Sequence, residues 1–377
     1  MIPVALLALA ACGSGIVLVR RILKSRNADI WIGSYIIFAA RRLIRKRPRP
    51  VHLHFCFADH FEPFWNGASR EQALGRVREW TTRYPELARR HKDSSGKTPV
   101  HTFFYPIDQY DPEVLDELAT LVRQGVADVE VHLHHDEDSP ENFIRTVKDF
   151  VTVLREKHTL LRIDPETRCA VYGFIHGNWA LGNSRKDGRY CGISDELGLL
   201  SQTGCYADFT LPSAPSETQT RKINSIYFAR DRGGIPKVHD TGTDVRVGAW
   251  SEDGLMIVQG PLALNWKSRK VGVFPRIENG EVSADNPVDD HRIDLWVRNA
   301  PGVVGAPEHV FIKVYTHGAE DANIDALFGG NLERIWDSLE RRYNDGRRYV
   351  LHYESAYEMY MNIKKCAQFP HHEHRFG

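Results

Sequence analysis

The chain lacks the features that would commit it to several specialised classes. Lys plus Arg and Asp plus Glu each number 49, so no charge of one sign accumulates overall. A dedicated nucleic-acid binder needs a basic footprint, and the balance argues against one. Cysteine is scarce: the six residues at 12, 56, 169, 191, 205 and 366 form no CxxC pair. That argues against both a zinc ribbon and a disulfide scaffold. Read singly, these cysteines are expected to be small buried hydrophobes in a reducing compartment. There is no internal repeat. What remains is ordinary for a globular protein, with 42% hydrophobic and 26% charged residues over 377 positions. That length accommodates one large core or two modest ones.

Charge is uneven locally. Between Arg20 and Arg49 stand Arg20, Arg21, Lys24, Arg26, Arg41, Arg42, Arg45, Lys46, Arg47 and Arg49, and the only acid among them is Asp29. Ile2 to Val19 carries no charge and has about the minimum length for a bilayer span. A cleaved signal peptide wants a basic start, and Met1-Ile2-Pro3 offers none. Leu9-Ala10-Ala11-Cys12-Gly13 looks like a lipidation box, but the segment stays apolar beyond it. The reading adopted is an uncleaved anchor whose basic flank stays cytoplasmic. Ile30 to Ala40 then reads as a helix lying at an anionic headgroup surface, with packing on the body as the alternative. Residues 1–50 are thus expected to be a membrane anchor and basic interfacial helix, and residues 51–377 the catalytic body, at the inner (cytoplasmic) membrane.

After Arg47-Pro48-Arg49-Pro50 the pattern changes to short apolar runs separated by helical segments. Strands are expected at 51–57, 101–105, 129–133, 169–175, 309–315 and 348–351. Helices are expected at 70–91, 112–123, 141–158, 195–201, 331–343 and 354–366. Such alternation implies an α/β fold with parallel strands and helical crossovers. The stretch from about 212 to 301 is richer in Gly, Pro, Asp and Ser and reads as loops with antiparallel strands. The tail His371-His372-Glu373-His374 reads as an exposed disordered end.

In parallel βα architectures, functional residues sit at the carboxyl ends of strands. Polar clusters fall there in four places: Ala58 to Pro63, His132 to Asp138, His176 to Ser184, and Thr316 to Asp321. On the third strand Glu130, His132 and His134 alternate with Val131 and Leu133, so all three share one face. Burying them costs several kcal/mol unless they are paired or bound to a metal. Imidazole and carboxylate suit zinc or another late transition metal. A hydrogen-bonded His/Asp network is the plainer alternative.

These residues resemble the polysaccharide deacetylase family, related to the family-4 carbohydrate esterases. Phe57-Ala58-Asp59-His60 resembles the first motif. Glu130 and His134 resemble the second, Gly204 to Phe209 the stretch after the third, and Val314-Tyr315-Thr316-His317 the last. The resemblance, over roughly residues 51–320, implies a distorted (β/α) barrel and a divalent metal, zinc in the first instance. It also implies removal of acetyl groups from an N-acetylated polysaccharide or lipid-linked sugar. Asp59, His134 and Asp138 are the implied ligands, with His60, His132 and His135 as alternates. Asp136 is the implied base and His317 the acid. His176, Asn178, Trp179 and Tyr206 are the implied substrate contacts. The chain departs from the family pattern in three places: Ala58 stands where the base would be, Asp138 where a second ligand His would be, and His176-Gly177-Asn178-Trp179 where most members carry an Arg/Pro-rich run. A glycoside hydrolase, an inactive glycan-binding relative and a scaffold of a polysaccharide-assembly system are the competing readings.

Overall fold

The computed structural model describes residues 18–44, 47–251, 253–270 and 274–368. Most of the apolar segment 2–19, the lipidation box and the histidine tail lie outside the described residues. Residues 18–25 are helical and lead to α1 (Ile32–Ile44). The body then runs β1 (Val51–His60), α2 (Arg70–Arg89), β2 (His101–Pro106), α3 (Pro112–Arg123), β3 (Ala127–Leu133) and α4 (Pro140–Glu156). Next come a two-residue β4 (Arg162–Ile163), β5 (Ala170–His176), α5 (Glu196–Gln202) and β6 (Cys205–Asp208). A less regular stretch carries β7 (Ile226–Ala229), β8 (Thr243–Asp244), β9 (Leu255–Val258), β10 (Ala263–Lys270) and β11 (Phe274–Glu278). It is followed by α6 (Asp290–Asn299), β12 (His309–Thr316), α7 (Asp321–Ala326), α8 (Leu332–Tyr343), β13 (Tyr349–Glu354) and α9 (Ala356–Gln368).

Local chemistry sets the helix starts. Ser69 and Gln72 form a reciprocal capping box before α2. Asp111 before Pro112 caps α3, and Ser139 before Pro140 caps α4. The helix α6 falls inside the stretch read from sequence as loops and strands. Asp289 caps it, and Ile293, Trp296 and Val297 give it a buried stripe. The polar run Asp289-Asp290-His291-Arg292 masks that stripe in a sequence scan.

The main sheet has the order β12-β1-β2-β3-β5-β6-β9-β7-β8, mostly parallel, with β13 beside the amino half of β1 and β4 beside β5. The α/β expectation with parallel strands therefore holds. No closed barrel is found: among the described residues no strand pairing joins β8 back to β12. The sheet nevertheless curls. Lys313 on β12 donates through Nζ to the carbonyls of Phe209 and Leu211 beyond β6, at 2.5 and 2.6 Å. Phe55, Phe57, Phe103 and Val131 pack outward with Trp80 and the helices, while Cys56, Ala58, Phe104 and Phe311 turn the other way with Met359 and Ile363 of α9.

Among the described residues, no helix is long and apolar enough to cross a membrane. The described N-terminal segment docks on the body: Ala28 and Trp31 are buried with Ile223 and Leu262, and Arg42 donates to Asn299.

At the amino end of β1, His52, His54, His309 and His352 stack with ring centroids 4.8–5.3 Å apart, beside Glu354. Burial, with His54 adjacent, pushes the His352 pKa down to about 4. Its folded value lies below its unfolded value, so the unfolded chain takes up this proton first. Its contribution to stability is complete above about pH 6.5 and falls away toward pH 4. Between pH 7 and pH 5, His352→Gln is expected to lose roughly 1–2 kcal/mol less stability than the wild type, read from denaturant midpoints at each pH.

Candidate metal centre

Strand alternation decides which of the carboxyl-end residues can meet. On β1 and the residue after it, Phe57 and Phe61 face the helices and Asp59 shares their side, while Ala58 and His60 face inward. The buried Asp59 carboxylate lies 2.9 Å from His101 Nε2 and accepts from the Gly318 N–H at 2.7 Å. A Cβ at position 318 would stand 2.1 Å from Asp59 Oδ2, so only glycine allows this clasp. The expected ligand Asp59 therefore does not meet the β3 histidines. It fastens the turn that carries His317.

The carboxylate that does meet them is Glu62. Its Oε1 lies 3.4 Å from His132 Nε2 and 3.6 Å from His134 Nε2, and the three side chains form one of two groups among the described residues whose donor atoms all fall within 4.8 Å of one another. Hydrogen bonds on the far side of each ring fix the tautomers. His132 Nδ1 sits 2.8 Å from the Ile175 carbonyl oxygen and His134 Nδ1 sits 3.2 Å from Asp108 Oδ1. Both partners accept, so both Nδ1 atoms carry protons and the Nε2 atoms turn inward. Among the described residues the buried His132 Nε2 makes no hydrogen bond, its nearest carboxylate oxygen being Glu62 Oε1. Donors held about 2.0–2.1 Å from a tetrahedral ion stand roughly 3.3 Å apart, close to these spacings. Glu62, His132 and His134 thus fit a divalent ion.

Electrostatics agree with a site built for positive charge. Burial opposes charging of His134, yet Asp108 and Glu62 outweigh it and lift its pKa to about 10. Burial likewise opposes the Glu62 carboxylate, and His132 and His134 still hold its pKa far below the usual range. His60 is held neutral, first by burial and then by His317 and His132.

Glu62 and His134 open into a cavity of about 560 Å³ that His60, His317, Asn178, Trp179 and Glu320 also line. The His60 and His317 ring centroids are 4.9 Å apart, and Trp179 stands 5.9 Å from His317. Asn178 and Trp179 both take φ near 54°, a left-handed conformation that costs energy in non-glycine residues and recurs at functional sites. Gly177 is required by contact: a Cβ there would lie 2.3 Å from His134 Cδ2. Burial, with Glu62 and Glu281 nearby, raises the Glu320 carboxyl above its ordinary range against the pull of His317.

No protein-family model matches this chain. No curated protein matches it either.

Of the residues singled out in the sequence, His60, His132, His134, Asn178, Trp179 and His317 come together. Asp136 does not: it is exposed and accepts from the Tyr190 and Glu137 N–H groups. Asp138 lies behind His135 Nδ1, and His176 joins His135 in a separate cluster. Tyr206 is far along the sheet, donating to Glu130 at 2.7 Å and lining a larger cavity of about 1190 Å³ that holds none of the histidines. Glu62 was legible in principle, since period-two alternation places it with His60 and against Asp59. Glu320 lies inside the Thr316–Asp321 strand-end cluster, whereas Cys191 and Glu196 carry no spacing signal. Removing the carboxylate behind His134 tests the arrangement. Asp108→Asn is expected to weaken metal affinity by roughly 10–100-fold in a chelator competition, with the fold retained by circular dichroism.

Proposed function

We propose that this chain is a metal-dependent hydrolase that removes acetyl groups from an N-acetylated sugar at a membrane surface. The observation that carries the reading is the grouping of Glu62, His132 and His134, with one buried orphan nitrogen, where Glu62 and His134 open into a cavity walled by further imidazoles and tryptophan. The deacetylase resemblance supports it, with Glu62 taking the ligand role first expected of Asp59. A bound zinc-type ion would lower the pKa of a coordinated water and polarise the amide carbonyl.

The chain's own residues supply the rest. Glu320 takes the water proton, a role suited to a carboxyl whose pKa burial has raised. His317 protonates the leaving amine as the C–N bond breaks and acetate is released. The Asn178 side chain stabilises the oxyanion. Trp179, with Trp65 on the same cavity wall, offers an apolar face to a sugar ring.

The membrane placement rests on α1. Ile36, Ile37, Leu43 and Ile44 are solvent-exposed on it, and Arg41 and Arg42 stand beside them. An apolar stripe beside a basic edge suits the headgroup boundary of an anionic bilayer. On this reading the body sits on the cytoplasmic side.

The test is acetate release from N-acetylglucosamine oligomers by zinc-loaded full-length chain. His132→Ala is expected to abolish it, and His317→Gln to slow it by roughly 10²–10⁴-fold. Release that persists undiminished in His132→Ala, or a folded chain that takes up no metal, would sink the hydrolase reading.

A further inference from the structure

A second group of donors lies beside the first. His135 follows β3, His176 ends β5, Cys191 sits in the loop before α5, and Glu196 is the first residue of α5. Their donor atoms also fall within 4.8 Å of one another. His135 Nε2 is 2.9 Å from His176 Nε2, and Glu196 Oε1 is 3.2 and 3.3 Å from the two nitrogens. Cys191 Sγ lies 3.6 Å from Glu196 Oε2. His176, Cys191 and Glu196 are fully buried, and the His135 side chain is 6% exposed.

The outer nitrogens are again occupied. His135 Nδ1 lies 3.0 Å from Asp138 Oδ2, and His176 Nδ1 lies 2.6 Å from the Gly177 carbonyl oxygen. A carbonyl and a carboxylate only accept, so both Nδ1 atoms hold protons. Both Nε2 atoms then point lone pairs at each other and at a carboxylate oxygen, away from water. One extra proton can lie along only one of those three lines. A single cation could bond all of the donors at once: the two nitrogens and Glu196 Oε1 are spaced close to the roughly 3.3 Å expected around a tetrahedral ion, and Cys191 Sγ lies within 4.8 Å of the other donors.

We infer that His135, His176, Cys191 and Glu196 form a second, closed metal site for a zinc-type ion with a structural role. Four protein donors leave no position for water, unlike the group of Glu62, His132 and His134. None of the four lines the cavity into which Glu62 and His134 open. A thiolate beside two imidazoles selects zinc over magnesium or calcium. Binding displaces the Cys191 thiol proton to solvent and changes no oxidation state.

The ion would tie together segments that regular structure does not hold. Residues 177–195 contain only short turns, and their backbone is already drawn to these donors. The Gly182 N–H donates to Glu196 Oε2 at 2.6 Å, and the Asp138 N–H donates to the Cys191 carbonyl at 3.1 Å. A Cβ at Gly192 would lie 2.6 Å from the Asp138 nitrogen, so that loop packs directly on the His135 loop. Gly177, whose carbonyl orients His176, also touches His134. The second site thereby holds the loop on which the first depends.

The two sites use different residues, so one experiment separates them. Full-length chain is loaded with cobalt(II), and metal content is read beside the near-ultraviolet thiolate-to-cobalt charge-transfer band. The wild type is expected to hold about two ions per chain and show the band. His132→Ala should keep one ion and the band, while Cys191→Ser should lose the band and the ion beneath it. Cys191→His, which replaces the donor, should restore the ion without the band and guards against simple misfolding. A wild type with no thiolate band, or a Cys191→Ser variant with unchanged metal content, would overturn the second site while leaving the first standing.

Discussion

The parallel hydrogen-bond ladder through β1, β2, β3 and β5 is the constraint on which everything else rests. Its register sets His60 opposite Phe104, Pro106 opposite His132, and Leu133 opposite His176. Parallel strands end on the same side, so the polar residues following each strand are delivered to one edge. Side chains alternate with a period of two, and a one-residue slip would exchange Glu62 and His60 for Asp59 and Phe61. The helices on the outer face prevent such a slip, because Phe57, Phe61 and Phe103 must stay against Trp80.

Histidine is used in two opposite ways at the two ends of this sheet. At the amino end, His54 Nε2 pairs with His309 Nδ1 and His54 Nδ1 pairs with Glu354, so ring nitrogens satisfy one another directly. At the carboxyl end, each Nδ1 proton is directed outward to a carbonyl or carboxylate, and the Nε2 atoms converge. Burying converging lone pairs is costly unless a cation joins them. Residue type alone does not distinguish these arrangements; the partner of the second ring nitrogen does.

The described N-terminal helices add a surface of a different kind. Their inner side is packed through Trp31, Leu262 and Ile223, while Leu18, Val19, Ile36, Ile37, Leu43 and Ile44 remain exposed. This apolar stripe bordered by arginines, left uncovered by the described residues, is the feature on which the proposed membrane placement rests.

The sequence by itself determined the α/β alternation, most strand and helix positions on either side of the irregular stretch though not β6 or α7, and the gathering of His, Asp and Glu at strand ends. Those features follow from local periodicity and capping, which neighbouring residues carry. It also held the information that Glu62, and not Asp59, shares a face with His60. Tertiary structure alone decided three further points: that the sheet curls without closing its ladder, that Asp138 stands behind a histidine instead of beside His134, and that Cys191 and Glu196 complete a second cluster. The reason is physical. Periodicity fixes the side of a strand on which a residue lies, but partners from distant loops are brought together only when long-range packing closes those loops over the sheet.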